Sequence, residues 1–259
     1  MTRKGDPPDP LAQVGALLEH LSLTTAARGL STVLAQAEST HPAYSDFLRQ
    51  LLEIEQGARW ERKLQRRRRW SKLGPPVSLD GFDWAARPQL APQVVKELLT
   101  CRFIDEHRNV LLVGRPSTGK TTVARALGHA ACSHAHSVYY APMAEVLATL
   151  HAARADGTYR TVFRRVTTAA LLILDDAGFE DLGRDAANEL FRVVCARYME
   201  RSTIVVTNLP FKHWGEFLPS PAQAVAIADR LVDDATILRF SGKPYRQPRE
   251  VHGAPLDNE

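Results

Sequence analysis

The apolar positions change their period once along the chain, near residue 90. Before that point they recur at helical spacing: Val14, Leu17, Leu18 and Leu21, then Ala27, Leu30, Val33 and Leu34, then Phe47, Leu48, Leu51 and Leu52. Three amphipathic helices follow from this spacing. Thr24 or Thr25 is a candidate cap for the second, and Pro42 and Ser45 introduce the third. That third helix is expected to run on into a basic segment, and Gly74-Pro75-Pro76 ends it. The first ten residues read as a polar, flexible arm. Residues 77–88 read as an extended linker with Phe82 and Trp84 as anchors.

After residue 90, short apolar runs alternate with helical stretches, which is an α/β signature. Strands are expected near 109–113, 137–141, 170–175, 202–207 and 235–240. The long interval 142–169 has room for two helices, split near Asp156-Gly157. The predicted organisation is a small all-helical domain over 1–74, a linker over 75–100, and an α/β domain over 101–250 whose parallel sheet is flanked by helices.

The run Val110–Val113 reads as a buried strand that breaks at Gly114, and a helical pattern resumes after Gly119. Between them, Gly114-Arg115-Pro116-Ser117-Thr118-Gly119-Lys120-Thr121-Thr122 fits the phosphate-loop pattern in the strand–loop–helix context it requires. Its glycines let backbone N–H groups turn inward toward phosphate oxygens. The next helix adds its positive N-terminal end. Lys120 is placed to reach the β- and γ-phosphates, and the Thr121 hydroxyl to bind Mg²⁺.

Two further strand ends carry polar chemistry. Leu171–Leu174 is followed by Asp175 and Asp176, and ligands of parallel sheets sit at the carboxyl ends of strands. Asp175 is then a Mg²⁺ ligand beside Thr121, and Asp176 the general base for an attacking water. The bland alternative is a strand ending in a polar turn. The strand Thr203–Thr207 ends in Asn208, either a sensor near the γ-phosphate or a turn residue before Leu209-Pro210. No Asn-Lys-x-Asp guanine-reading element occurs, which favours ATP over GTP. Arg230 is either an arginine supplied to a neighbouring subunit's phosphates or a salt-bridged surface residue.

Charge is concentrated. The stretch Arg59–Lys72 holds eight basic residues and one acid, while the whole chain carries only +4, so the remainder is net negative. Such a footprint points to double-stranded DNA, with Arg62, Lys63, Arg66, Arg67, Arg68 and Arg69 as the contacts. A solvated helix face and a membrane-surface helix are the alternatives, the second disfavoured by the scarcity of interleaved apolar residues. Trp60 and Trp70 can pack inward, stack, or lie against backbone. Further basic clusters occur at Arg154, Arg160, Arg164 and Arg165, and at Arg239, Lys243, Arg246 and Arg249; a loop projecting from the nucleotide sheet could carry these to DNA, and Arg154 and Arg160 are counted among the DNA contacts. The group His129, Cys132, His134 and His136 fits no zinc spacing well. Three scattered cysteines suggest reduced thiols, and no apolar run approaches the roughly 20 residues that span a bilayer. The first residues have no signal-peptide core, so a cytoplasmic protein is expected.

With these residues placed, the chain resembles the IstB-like ATP-binding proteins, insertion-sequence transposition helpers of the AAA+ class related to bacterial helicase loaders and initiator ATPases. The resemblance rests on the phosphate loop, Ala124–Cys132, Ala141–Leu147, Leu150–Gly157, Leu171–Gly178 and Glu189–Val194. It continues through Arg197–Phe211, Trp214-Gly215-Glu216, Ala228–Leu231 and Gly242–Arg246. The segment Thr207–Phe211 followed by Trp214-Gly215-Glu216 is its most specific part. The resemblance implies a P-loop AAA+ ATPase that forms a ring or helical homo-oligomer on duplex DNA with ATP and Mg²⁺. That assembly would recruit a transposase. It also implies that Arg230 is the arginine finger, Asn208 the first sensor, and the segment around 143–167 an initiator-type insertion facing DNA. Three departures stand out: Asp175-Asp176 where Asp-Glu is common, Arg115 and Ser117 within the loop, and little sequence after residue 250 for a helical lid. A helicase loader, and an ATP-switched DNA-binding scaffold with little hydrolysis, are the rival readings.

Overall fold

The computed structural model describes residues 9–242. Within them the chain divides into two compact units, one ending at Arg66 and the other beginning at Arg67. The division falls inside the third helix, a few residues before Gly74. The C-terminal cluster beyond Arg239 (Lys243, Arg246 and Arg249) and the end of the Gly242–Arg246 match lie outside the described residues.

The first unit holds α1 (Pro10–His20), α2 (Thr24–Thr40) and most of α3 (Tyr44–Ser71). Its core is Ala26, Leu30, Val33 and Leu51, with Leu11, Leu18, Leu23 and Phe47 against it. The expected face of α1 is only partly used, since Val14, Leu17 and Leu21 stay exposed while Leu11 and Leu18 pack inward. The apolar stripe of α1 is thus wider than the strip its neighbours cover.

The cap of α2 also differs from expectation. Its N-cap is Leu23, which has no capping side chain. Glu55, buried on α3, accepts the Thr25 N–H at 2.7 Å and the Ala26 N–H at 3.1 Å instead. A carboxylate at a helix N-terminus satisfies orphan donors and opposes the dipole. Arg59 at 2.8 Å and Arg62 at 3.1 Å close the cluster. The Arg59 hydrogen bond foremost, aided by the two backbone donors, holds the Glu55 carboxyl at about 2.

In the second unit, α4 (Pro92–Leu98) and α5 (Arg102–Asp105) precede β1 (Val110–Gly114). Then come α6 (Lys120–Ser133), β2 (Val138–Pro142), α7 (Met143–Ala155), α8 (Tyr159–Thr168) and β3 (Leu171–Ala177). The unit continues with α9 (Arg184–Arg197), β4 (Ser202–Thr207), α10 (Trp214–Phe217), α11 (Pro221–Val232) and β5 (Thr236–Phe240). All five strands lie within two residues of the expected positions, and the expected break at Asp156-Gly157 separates α7 from α8.

The strands form one parallel sheet in the order β2-β3-β4-β1-β5. Continuous apolar runs such as Leu171–Leu174 are buried because helices cover both faces. On one face α7, α9 and α11 enclose a core that includes Leu150, Leu172, Leu190, Val205, Trp214 and Ile227. On the other, α6 lies across the sheet; a Cβ on its Gly128 would meet Leu73 at 2.7 Å and Ile173 at 2.9 Å. A larger residue there would have to displace both side-chain tips.

Arg197, 2% exposed, ties several of these elements together. It donates to the carbonyls of Val166, Thr167 and Ala169 at 2.8–3.1 Å and to Thr203 Oγ1 at 3.0 Å. The last turn of α8 is therefore capped by a side chain from α9.

Candidate nucleotide site

The predicted loop residues converge on one cavity of about 730 Å³ at the carboxyl ends of the strands. Pro116 to Thr122, Asp175, Asp176 and Asn208 all line it. Gly114 and Arg115 shape the loop behind it. A Cβ at Gly114 would lie 2.1 Å from the Phe240 carbonyl, so β5 passes too close for any side chain. Gly119 turns the chain into α6 at φ 95°. The first-turn N–H groups of α6 lack intrahelical acceptors and face incoming anions.

Lys120 is nearly buried. Its ammonium donates to the carbonyls of Gly114 at 2.7 Å and Arg115 at 2.8 Å, and to Asn208 Oδ1 at 2.7 Å. Burial pulls its pKa down to about 8, against the opposing pull of Asp175 and Asp176. Thr121 Oγ1 donates to Asp175 Oδ1 at 3.2 Å. An alcohol and a carboxylate oxygen side by side suit a small, hard cation that keeps several waters, as Mg²⁺ does. The donor set and the narrow glycine turn therefore fit a magnesium–triphosphate.

Asp175 and Asp176 are consecutive, yet both reach the cavity. In a regular strand they would point to opposite faces. Here the β3–β4 register shifts between Leu174 and Ala177, and Asp176 takes φ 52°. This irregularity is a bulge that re-aims a side chain. Asp175 is buried, while Asp176 is exposed. Partial desolvation at the cavity wall foremost, then the charge of Asp175, raises the Asp176 pKa. A carboxylate with raised pKa accepts a proton more readily than a free one.

Sequence reasoning missed Tyr140, Arg87 and the linker residues Ser78 and Gly81. Tyr140, at the end of β2, donates from its hydroxyl to Asp175 Oδ2 at 2.7 Å. Arg87, 1% exposed, donates from Nε to the Thr118 carbonyl at 2.8 Å, fastening the linker to the phosphate loop. Ser78, Gly81 and Phe82 of that linker complete the cavity wall, with the Phe82 ring 4.7 Å from that of Trp84. The anchoring expected of Phe82 was a readable signal; Arg87 carried none.

The remaining candidates lie elsewhere. Arg230 lines a different concavity, with Tyr198 and Asp233. Its guanidinium donates to the Ala226 carbonyl at 2.7 Å and rests over the rings of Phe191 and Tyr198. Arg160, Arg164 and Arg165 surround a concavity of about 410 Å³ on α8. Arg165 also stacks over Trp70 at 5.3 Å and Tyr139 at 5.0 Å. Arg154 turns away from that cluster, held by the buried Glu189 and lying over the Tyr159 ring at 4.4 Å. Along α3, Arg62 is engaged by Glu55 and by Thr25 Oγ1 at 3.2 Å. Lys63, Arg66 and Arg69 are exposed, and Arg67 and Arg68 half-buried. His129 Nε2 lies 3.0 Å from the Pro75 carbonyl. Among the described residues no helix is long and apolar enough to cross a membrane.

Comparison with known proteins points to one family. The family model described as IstB-like ATP binding protein matches residues 16–252. An ATP-binding protein assigned to an insertion sequence of Sinorhizobium fredii is 35% identical over 230 residues, covering 89% of this chain and 94% of that protein. The one assigned to insertion sequence IS21 of Pseudomonas aeruginosa is 32% identical over 234 residues, covering 90% and 88%. The fold is also that of AMPPCP-bound DnaA from Aquifex aeolicus, with a TM-score of 0.54 at 21% identity over 65% of this chain and 51% of that one. DnaI is similar at a TM-score of 0.54 and 18% identity, over 69% of this chain and 93% of that one. From residues, geometry and likeness together, the chain belongs to the IstB-like ATP-binding proteins of insertion sequences, on an α/β fold similar to those of DnaA and DnaI.

Proposed function

We propose that this protein is a Mg²⁺-dependent ATPase that oligomerises on double-stranded DNA and recruits and activates the transposase of its insertion sequence at target DNA. The observation that carries the reading is the meeting of Lys120, Thr121, Asp175 and Asn208 around one cavity, from the ends of three different strands.

In this reading Lys120 and the N-terminus of α6 bind the phosphates. Bound Mg²⁺, held by Thr121 and Asp175, would offset charge on the transferred phosphoryl group. Asp176 takes the proton of the attacking water, and Asn208 orients that water. Arg230 acts on the phosphates of a neighbouring copy, which accords with its place outside the cavity of its own chain. Lys63 and Arg66 to Arg69 hold the DNA backbone, joined by Arg160 and its neighbours on α8, while Arg62 stays on Glu55 and fixes the basic helix. Arg154 contributes by fixing the α7–α8 corner through Glu189. A cytoplasmic location belongs to the same proposal. A DnaA structure bound to AMPPCP and single-stranded DNA lends support to a nucleotide-dependent DNA role for this fold.

A second reading, an ATP-switched scaffold with little hydrolysis, is favoured by one observation: the second acid is Asp176, whose carboxylate has a shorter reach than glutamate. Imaging the purified chain with duplex DNA and a non-hydrolysable ATP analogue tests the assembly. Ordered rings or helices are expected with the analogue and not with ADP; unassembled protein under every condition would overturn the proposal. Turnover measured with and without DNA separates ATPase from scaffold.

A further inference from the structure

We propose that Tyr140 is a positioning residue for the metal-holding carboxylate of Asp175, an inference that rests on the magnesium–nucleotide reading of the cavity. Strands β2 and β3 pair with Tyr140 opposite Ile173 and Pro142 opposite Asp175. This register brings the Tyr140 hydroxyl within 2.7 Å of Asp175 Oδ2. The other oxygen, Oδ1, receives the Thr121 hydroxyl at 3.2 Å and the Asp176 N–H at 3.0 Å. A carboxylate only accepts, so the phenol is the donor.

Three donors from three elements thus fix the plane of one carboxylate. Tyr140 restrains the oxygen on the far side from the threonine, leaving Oδ1 turned toward the loop where a cation would share it with Thr121. Outer partners of this kind orient a ligand and tune its affinity. Removing the hydroxyl leaves Oδ2 without that donor and frees the carboxylate to rotate. The adjacent Tyr139 points to the opposite face of the sheet, beneath Arg165 and Lys72, and supplies an internal control.

The test is a Mg²⁺ titration of fluorescent-ADP binding to the full chain, run on wild type, Tyr140→Phe and Tyr139→Phe. For Tyr140→Phe we expect a half-saturating Mg²⁺ concentration raised about tenfold, with metal-free nucleotide affinity unchanged and turnover restored at high Mg²⁺. Tyr139→Phe leaves the titration where it was. In the absence of metal both variants should still unfold in one cooperative transition above the assay temperature, which separates positioning from a folding defect. A Mg²⁺ response in Tyr140→Phe equal to wild type, or a defect that high Mg²⁺ does not restore, overturns the inference alone. A wild-type protein that binds nucleotide without regard to Mg²⁺ overturns the underlying site reading instead.

Discussion

Lys120 Nζ lies 2.7 Å from Asn208 Oδ1, although the two residues are 88 positions apart. One begins the helix after β1 and the other follows β4, the strand paired with β1. The parallel register of that pair brings the loop cation and the polar strand end into one hydrogen bond.

Replacing Lys120 with Ala removes its ammonium from the cavity wall. Hydrogen bonds to charged groups contribute about 1.5–3 kcal/mol, so nucleotide affinity should fall by about tenfold or more. Titration with a fluorescent ATP analogue reads this directly. Wild-type affinity in the variant would remove Lys120 from the phosphate site.

Asp176→Asn keeps the shape of the bulge but removes the proton acceptor. ATP should still bind, while turnover drops by about 100-fold, the usual scale of general-base loss. Phosphate release under single-turnover conditions is the measurement. Normal release would transfer the base role elsewhere.

Changing Arg66, Arg67, Arg68 and Arg69 to Gln should weaken duplex binding and flatten its salt dependence. Each lost phosphate contact lowers the slope of log affinity against log salt by about 0.9. Binding isotherms across a salt series give the slope. An unaltered slope would exclude the run from contact.

Glu55 predicts a pH dependence in the helical unit. Its carboxyl sits at about 2 when folded against 4.5 ordinarily, so the unfolded chain takes up the proton first as pH falls. The stabilisation is complete above 4.5 and is lost on going down toward 2. Glu55→Gln should therefore lower Tm at pH 7, and the gap from wild type should close across that interval. A gap independent of pH would show that the charge of Glu55 is irrelevant.

Arg197→Met should destabilise the second unit by about 3 kcal/mol or more, because several buried carbonyls lose their donor at once. Arg197→Lys should not rescue it, since one ammonium cannot reproduce the planar fork. Urea unfolding of each variant provides the comparison. A loss below about 1 kcal/mol would contradict the hub role.

Much of this architecture was readable in the residues themselves. The loop announces itself because its glycines, lysine and threonine are contiguous, and each strand because burial on both faces demands an unbroken apolar run. What stayed hidden depends on chain segments meeting from afar. Glu55 caps α2 from about thirty positions away, where only Thr24 and Thr25 were locally visible. Arg87 looked like linker charge until its guanidinium met Thr118. Tyr140 looked like an ordinary strand aromatic, since only register places its hydroxyl on Asp175. Arg154 and Arg62 joined basic clusters by composition, whereas buried carboxylates claim their head groups.

The irregular pairing at the end of β3 makes spacing, and not residue type alone, a heritable property of this protein. Removing one of the two acids there would restore even pairing between Leu174 and Ala177 and leave a single carboxylate at the cavity. The flanking apolar residues would keep their faces, so the cavity would lose an acid with no change to the core beneath it. Neutral drift can therefore alter what occupies these two positions more freely than how many there are.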